Sequence, residues 1–400
     1  FFEPLVVVAK DGTLQPYLLE SFESPPESEF MTWVLKVRPG ITFHDGEKLD
    51  GEAVAKNLEV RTVQGLVATA MEPVDSVEAT GDLEVTVNMK TPWSTFPATL
   101  AAQVGYMQSP AQIPDDPTQA YEPDVQRNPV GTGPFKFQEW IEDSEMRTTR
   151  NDNYWRTAED GTQYPYLEAL SFPVLVDPQS RAQSLETGGC DVIETVDTTQ
   201  ILRFRERAEN GEYQFYTDEG QEPGKIFITL NTAIPPFNRE LAREIMAYGF
   251  DPEQVSLDGF QGVFPPANGP LSKASELYVE TDYPKYDIAK AEALHQEYIA
   301  EYGEPLTFSA IVPPITEYIN VAESIRLMGE PYGLQVEIRQ LDQPSIVNAL
   351  VTGDSTSSGT ASQGRILFPS PLSDADYVFI ASEPKAVGEV SLNFARFDNP

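Results

Sequence analysis

Alternating hydrophobic and polar residues predict short strands in the first third of the chain. Trp33, Leu35 and Val37 alternate with other residues at the period of a strand that buries one face. A second apolar pattern over residues 74–87 is interrupted by turn residues at 80–82, and it predicts a hairpin. We therefore expect the chain to begin with antiparallel β structure.

Helices are predicted where a capping residue precedes a stretch of helical period. Asp50 and Asp177 are such residues, because a carboxylate can accept hydrogen bonds from the free N–H groups of a first helical turn. The predicted helices begin near Gly51 and span residues 180–186, 239–250, 289–300 and 319–328.

The last third of the chain changes to a strand-helix-strand order. Apolar strands at 306–312 and 334–338 flank the predicted helix at 319–328. Two strands joined in this way are usually parallel, with a right-handed crossover. Further strands are predicted at 135–140, 146–150, 170–176 and 224–231. The combined pattern indicates the α/β class.

The charge of the chain disfavours some classes of partner. It has 27 Lys and Arg residues against 63 Asp and Glu residues, and a formal net charge of −36. A field of this sign repels nucleic acid and anionic membrane surfaces. A solvated acidic coat, for solubility or for a saline environment, is the simplest explanation. Steering of a cationic ligand is the alternative.

Neither a membrane span nor a disulfide is indicated. No run of about 18 apolar residues occurs, and no signal peptide is recognised. The single cysteine, Cys190, makes no intrachain disulfide and no thiolate metal site, and we expect it to be a small buried hydrophobic residue. We interpret the chain as part of a longer protein, with its export signal and any lipid anchor encoded upstream.

Enzymatic sites are not indicated either. The two histidines, His44 and His295, belong to no Ser-His-Asp order, and no G-x-S-x-G elbow occurs. Gly131 and Gly133 are flanked by prolines and open no helix, so a phosphate cradle is less plausible than a structural loop. Because the chain has 63 Asp and Glu residues, some carboxylates lie close together by chance, so a pair of acids is not specific evidence of a glycosidase site. We expect no catalytic residue, no metal and no cofactor.

The most specific motif is the loop at residues 128–137. Two prolines and two glycines at 129–134 predict a tight, well-ordered turn that leads into a strand. The segment resembles the P-V-G-T-G-P-[FY]-x-[FL] loop of the peptide- and nickel-type solute-binding proteins of bacterial ABC importers. Residues 150–155 are similar to the R-N-x-x-Y-W segment that follows this loop in the family.

Other segments resemble the same family along nearly the whole chain. Residues 2–5 resemble its Y-E-P-L motif, and residues 33–46 resemble its W-x-F-x-L-R-x-G-x-x-F-H-D-G block. Residues 231–251 are similar to N-x-x-x-P-F…A-[YI]-x-x-D, and residues 266–270 are similar to a P-A-N-G-P turn. Residues 393–400 resemble the N-x-x-x-[YF]-x-N-P segment.

The resemblance implies a two-lobe periplasmic-binding-protein fold of the α/β class (type II, the large class with an extra subdomain). It implies an accessory subdomain of lobe I at residues 1–133, the core of lobe I at 134–230 and lobe II at 231–400. The C-terminal return to lobe I then lies beyond this chain. The ligand is held between lobes that close about a hinge, and one chain crossing is expected near Asn231.

The segment at residues 365–376 bears on the type of ligand. Peptide-binding members resemble R-x-x-W-x-x-D here, and their Asp pairs with the free amino group of the peptide. Arg365 and Phe368 match the first two positions, whereas Pro371 stands in place of the acid. A shift of a few residues would bring Asp374 to that position. A structural ion pair for Arg365 and a core position for Phe368 are the alternatives. The resemblance implies a ligand-binding set of Arg365, Phe368, Asp374, Asn231, Thr132 and Gly133.

The function implied is that of an extracytoplasmic solute-binding protein that delivers a peptide or similar polar organic solute to an ABC transporter. Its partners are then the small-molecule or peptide ligand and the permease subunits. Contact with the membrane occurs only through the permease or a lipid anchor. We expect a monomer in the periplasm or on the outer face of the cell membrane. A secreted α/β hydrolase and a non-transport receptor or chaperone-like member of the fold are the alternatives.

Overall fold

A computed structural model describes residues 1–64, 67–217, 228–266, 279–353 and 385–389, together with residues 391, 393 and 395–397. These residues belong to two compact units. Unit 1 is Phe1–Val174, and unit 2 contains the described residues from Leu175 onward. The lobe boundaries predicted after residues 133 and 230 stay a prediction.

Unit 1 is built from antiparallel sheets. A two-stranded sheet pairs β1 with β2, a four-stranded sheet has the order β3-β4-β6-β5, and a three-stranded sheet has the order β7-β8-β9. The strands are β1 (Val6–Val8), β2 (Leu14–Pro16), β3 (Leu19–Glu23), β4 (Thr32–Val37), β5 (Val74–Gly81), β6 (Glu84–Met89), β7 (Phe135–Ile141), β8 (Glu145–Arg150) and β9 (Ala169–Pro173).

The predicted strands of unit 1 are present, although some of their bounds differ from the prediction. Trp33, Leu35 and Val37 of β4 are buried, as their alternation predicts. β5 and β6 form the expected hairpin, with Gly81 opposite Glu84 at its end. The strand predicted at 170–176 is shorter than expected and ends at Pro173.

The described residues of unit 1 also form the α-helices α1 (Gly51–Val63), α2 (Val67–Ala70), α3 (Phe96–Thr99) and α4 (Pro123–Arg127). The predicted cap of α1 is confirmed, because the Asp50 carboxylate accepts a hydrogen bond from the Ala53 N–H at 2.9 Å. α1 buries Val54 and Leu58 and packs against β5 and β6. One face of the four-stranded sheet is thereby covered.

Unit 2 is richer in helix and contains a parallel strand pair. Its helices are α5 (Pro178–Glu186), α6 (Thr198–Glu209), α7 (Glu240–Gly249), α8 (Pro252–Phe260), α9 (Ile288–Tyr302), α10 (Thr316–Gly329) and α11 (Gln343–Thr352). β10 (Thr307–Val312) and β11 (Gln335–Gln340) pair in parallel, with α10 as the connection. The predicted strand-helix-strand unit is therefore confirmed.

The core of unit 2 gathers around α7, α9 and α10. Phe237, Ile245, Tyr298 and Ile325 belong to one cluster of buried side chains. The predicted helix at 289–300 is confirmed as α9, and His295 is fully buried on its inner face.

Two further expectations differ from the structure or fall outside it. Cys190 is half-buried rather than buried, since it follows α5 in a turn where its Sγ accepts a hydrogen bond from the Ser184 hydroxyl at 3.2 Å. Half of the strand predicted at 224–231 lies outside the described residues, and the described half, residues 228–231, does not form a strand.

Candidate functional site

The loop at residues 128–137 joins α4 to β7 and packs against the first residue of the chain. The Gly133 N–H donates to the Phe1 carbonyl at 2.7 Å. A Cβ at Gly133 would stand 2.5 Å from that carbonyl oxygen, and one at Gly131 would collide with it as well. Both positions therefore require glycine because main chain passes directly beside them.

Two side chains hold the loop from the other side. His44 Nε2 lies 2.9 Å from the Gly133 carbonyl, and His44 Nδ1 accepts a hydrogen bond from the Gly131 N–H at 3.4 Å. These contacts require the neutral imidazole with its hydrogen on Nε2. Burial lowers the pKa of His44, which favours that form. Asn151 also donates to the Gly133 carbonyl, at 3.0 Å.

A buried carboxylate, Glu3, joins three segments of unit 1. Its side chain is 4% exposed. Oε1 accepts hydrogen bonds from the Tyr154 and Tyr17 hydroxyls at 2.6 and 3.0 Å. Oε2 accepts from the Thr132 hydroxyl at 2.9 Å and from the Trp155 indole N–H at 3.1 Å. We call Glu3, Tyr17, Thr132, Tyr154 and Trp155 the Glu3 cluster.

The hydrogen bonds of the Glu3 cluster indicate a structural role, which is to hold segments of unit 1 together. Both carboxylate oxygens of Glu3 are occupied, so neither is available to accept a proton from a substrate. Burial, with the Glu3 charge beside it, raises the pKa of Tyr154 above its ordinary value. The phenol therefore stays protonated and donates. The cluster ties the N-terminal segment to the loop at 128–137 and to the segment that follows β8.

A solvent-facing groove of about 520 Å³ opens beside the Glu3 cluster. Trp155 belongs to both, because its indole N–H donates to Glu3 while its ring lines the groove. The groove is lined by Glu20, Arg38, Pro39, Gly40, Trp155, Arg156 and Thr157.

A second polar cluster lies in unit 2 around Asn231. The Asn231 amide donates to the Gly353 carbonyl at 2.9 Å, and its Oδ1 accepts from the Ala233 N–H at 3.1 Å. Arg396 is 3% exposed, and its Nη2 donates to the carbonyls of Val351 and Glu389 at 2.8 and 2.7 Å. These contacts fix the end of α11 to the segment before residue 400.

The six residues predicted to bind ligand are placed as follows. Thr132 and Gly133 lie together in unit 1, where the Thr132 hydroxyl binds Glu3. Asn231 is buried in unit 2, with protein partners on both ends of its amide. Arg365, Phe368 and Asp374 lie outside the described residues. A ligand-binding role for these six residues stays a prediction.

The role of Glu3, and of the two tyrosines that bind it, is not indicated by any of the motifs named above. A signal was present, because Glu3 stands between Phe2 and Leu5 in a segment that otherwise reads as apolar. A lone acid in such a segment requires hydrogen-bond donors from elsewhere in the chain. Its donors could not be named, since they follow at distant positions.

The described residues contain no group of three or more His, Cys, Asp or Glu side chains that could hold a metal ion. Within the same part of the chain, no helix has both the length and the apolar character needed to cross a membrane.

Comparison with known proteins gives one family and one fold. The family model for bacterial extracellular solute-binding proteins, family 5 Middle, matches residues 13–372. A glutathione-binding protein from Pectobacterium atrosepticum is 27% identical over 314 residues, which cover 77% of this chain and 57% of that protein. The nickel-binding periplasmic protein of Escherichia coli is 28% identical over 302 residues, which cover 73% and 54%. The chain thus spans little more than half the length of these relatives.

Solved structures agree on the fold. The oligopeptide-binding protein AppA of Bacillus subtilis, in complex with a nonapeptide, superimposes with a TM-score of 0.79 at 20% identity, covering 100% of this chain and 78% of that one. The binding protein AgaA of A. tumefaciens, in complex with agropinic acid, gives 0.76 at 21% identity, covering 97% and 76%. The predicted two-lobe α/β fold class of periplasmic binding proteins is confirmed.

Proposed function

The chain belongs to the family 5 bacterial extracellular solute-binding proteins, and from that premise we propose that it binds a peptide or similar polar organic solute and delivers it to an ABC importer. The match of the family model over residues 13–372 is the observation that carries the proposal. Lobe closure about a hinge belongs to the same proposal.

The proposal includes location and partners. The protein acts in the periplasm or on the outer face of the cell membrane, as a monomer, and meets the membrane through permease subunits or a lipid anchor. The relative named a nickel-binding periplasmic protein supports this location. Relatives in this family are named as binding proteins, which supports binding without turnover.

We also propose that the solute needs no free α-ammonium group. Pro371 stands where the resemblance places the acid that pairs with a peptide amine. Without a desolvated carboxylate, an ammonium would lose water and gain no charged partner, at a cost of several kcal/mol. An oligopeptide held in another way, an oligosaccharide or another polar organic solute then fits better.

Native mass spectrometry of the full-length protein, purified without denaturation, tests the main proposal. We expect a mass excess that disappears on unfolding. The released molecule should rebind at one per protein and should be recovered chemically unchanged. Hydrolysis of the molecule would instead support the secreted hydrolase. Absence of both retained solute and calorimetric binding to peptide and sugar pools would contradict the proposal.

Calorimetry with free and N-acetylated forms of one peptide pool tests the ammonium proposal. We expect the two forms to bind alike if peptides bind. Asp374→Asn is the test variant, and Asp376→Asn is its matched control in the same segment. Binding of the free-amine form alone, lost in Asp374→Asn and kept in Asp376→Asn, would show that Asp374 supplies the acid.

A further inference from the structure

Two arginines meet one indole in the groove of unit 1. The guanidinium carbon of Arg38 lies 5.3 Å from the centroid of the Trp155 ring, and that of Arg156 lies 5.8 Å from it. Arg156 also lies 5.1 Å from the ring centroid of Tyr17. All three aromatic contacts fall in the range of cation–π attraction. The aromatic surface therefore holds two positive charges close together.

Only some of the N–H donors of these two guanidinium groups form hydrogen bonds with described protein atoms. Arg38 donates through Nε and Nη2 to the carbonyls of Tyr17 and Leu19, each at 3.1 Å. Arg156 donates through Nη1 to the Tyr17 hydroxyl at 2.9 Å. A guanidinium carries five N–H donors. In the part of the chain that the structure describes, neither arginine forms an ion pair.

Arg127, outside the groove, provides a comparison. Its guanidinium carbon also lies over an indole, 5.5 Å from the centroid of Trp140. Unlike the groove arginines, it is paired with a carboxylate, Glu142, at 3.3 Å. An arginine over an indole thus occurs with a carboxylate partner from the protein at Arg127, and without one at Arg38 and Arg156.

The groove supplies three kinds of contact. The free guanidinium edges fit a planar carboxylate, which two parallel N–H groups can bind. Trp155 and Pro39 add apolar surface for a flat hydrocarbon body. Glu20 adds one negative charge to the lining, and the chain carries −36, so an anion with one charge is repelled less than one with two.

We propose that this groove binds a small organic monocarboxylate with a flat apolar body, its carboxylate on Arg38 and Arg156 and its body against Trp155 and Pro39. All the described residues that line the groove belong to unit 1, so we place this site apart from the solute cargo. Its wall is pre-ordered, because the Trp155 N–H is fixed by Glu3 and the Arg156 Nη1 by Tyr17. Such ordering lowers the entropic cost of binding.

Benzoate is the probe, titrated into the full-length protein at low ionic strength by calorimetry and by tryptophan fluorescence. Arg156→Gln is the main variant, since the Arg156 side chain is exposed and its loss should leave the fold intact. We expect Arg156→Gln to weaken benzoate binding about tenfold, by loss of a charge-assisted pair. The matched control Arg127→Gln should change the affinity by less than about twofold.

Three further arms sharpen the result. Benzamide, neutral and of the same shape, should bind about tenfold more weakly than benzoate. Glu20→Gln should tighten benzoate binding, because it removes a repelling charge. Arg156→Lys, which keeps the charge and loses the fork, should fall between the wild type and Arg156→Gln. Circular dichroism melts confirm that the variants are folded.

The proposal is overturned if benzoate shows no saturable binding, if Arg156→Gln binds it as tightly as the wild type, or if benzamide binds equally well. Retained cargo, measured by native mass spectrometry, should be the same in Arg156→Gln and in the wild type. Loss of cargo from this variant would place Arg156 in the cargo site and would overturn the groove as a further site. Absence of cargo from every variant, together with absence of calorimetric binding to the peptide and sugar pools, would contradict only the proposed transport function.

Discussion

Glu3 in unit 1 and Arg396 in unit 2 are both buried charged side chains, but their hydrogen-bonding atoms are satisfied to different extents. In unit 1, Glu3 is 4% exposed and accepts four side-chain hydrogen bonds through its two oxygens. In unit 2, Arg396 is 3% exposed and donates only through Nη2, to two main-chain carbonyls. Its Nε and Nη1 have no hydrogen-bond partner among the described residues.

The difference shows that the burial of a charged side chain does not by itself tell how much that side chain contributes to the stability of the fold. A buried ion repays its loss of water only when its hydrogen-bonding atoms are satisfied. Glu3 meets this condition, and removing it would also leave four donors without their acceptor. Arg396 meets it only in part, and burial lowers its pKa. We therefore expect substitutions at Glu3 to cost far more than substitutions at Arg396.

His295 is a third solution, in which the buried group stays neutral. It is fully buried on α9, and its Nε2 accepts a hydrogen bond from the Leu306 N–H at 3.0 Å. An imidazolium has no lone pair for this contact. Burial lowers the pKa of His295, which keeps the acceptor available.

The largest effect is expected for Glu3→Ala in the full-length protein. The substitution should lower the free energy of unfolding by about 3–5 kcal/mol, because the buried donors on Thr132 and Tyr154 and the half-buried donors on Tyr17 and Trp155 lose their acceptor. Urea denaturation followed by tryptophan fluorescence measures it. Glu23→Ala, at the exposed end of β3, is the control and should change the value by less than about 0.5 kcal/mol. Equal effects of the two substitutions would refute the stabilising role of the Glu3 cluster.

A smaller effect is expected from acidification, acting through His295. Because its folded pKa lies below the unfolded value of about 6.5, the unfolded state takes up the proton first as the pH falls. Its contribution to stability is complete above the unfolded pKa and is lost as the pH falls below it. Urea denaturation at about pH 7.5 and 5.5 measures the loss.

His295→Gln is the matched variant, since the glutamine oxygen can still accept from the Leu306 N–H but does not titrate. The wild type should lose more stability on acidification than this variant does. An identical loss in both proteins would show that His295 is not a source of acid sensitivity. His44→Gln makes the same comparison for unit 1, where burial also lowers the pKa of the histidine.

The smallest effect is expected for Arg396→Met, which keeps much of the side-chain volume and removes the charge. Since Nε and Nη1 already lack partners in the described structure, the free energy of unfolding should change by less than about 1 kcal/mol in either direction. The same denaturation series measures it. A loss as large as that of Glu3→Ala would show that the guanidinium is fully paired in solution and would remove the contrast between the units.

Local sequence signals predicted much of the fold and missed elements where the same signals were overlooked. The Asp177-Pro178 pair led correctly to α5. The same pair at Asp251-Pro252 begins α8, and its carboxylate accepts from the Glu253 N–H at 3.0 Å. Asp342, two residues before Pro344, caps α11 in the same way. The same capping signal therefore predicts α8 and α11 from the sequence.

The Glu3 cluster was out of reach for a physical reason. Its contacts join positions that are 129 and 151 residues apart, and no local periodicity encodes such pairs. The resemblance to a family marked the segments around Glu3, Thr132 and Trp155 as separate motifs. Only the folded chain shows that these motifs contact one another, and that the buried carboxylate joins them.

The glycines at 131 and 133 have a consequence for mutational scanning. The Phe1 carbonyl occupies the space that any Cβ at these positions would need. A saturation library scored by the yield of folded protein would therefore show both positions as intolerant, even to alanine. That intolerance would reflect the close packing of the loop against the main chain of the N-terminal segment. Loss of function on substitution at these two glycines is therefore no evidence that they contact a solute.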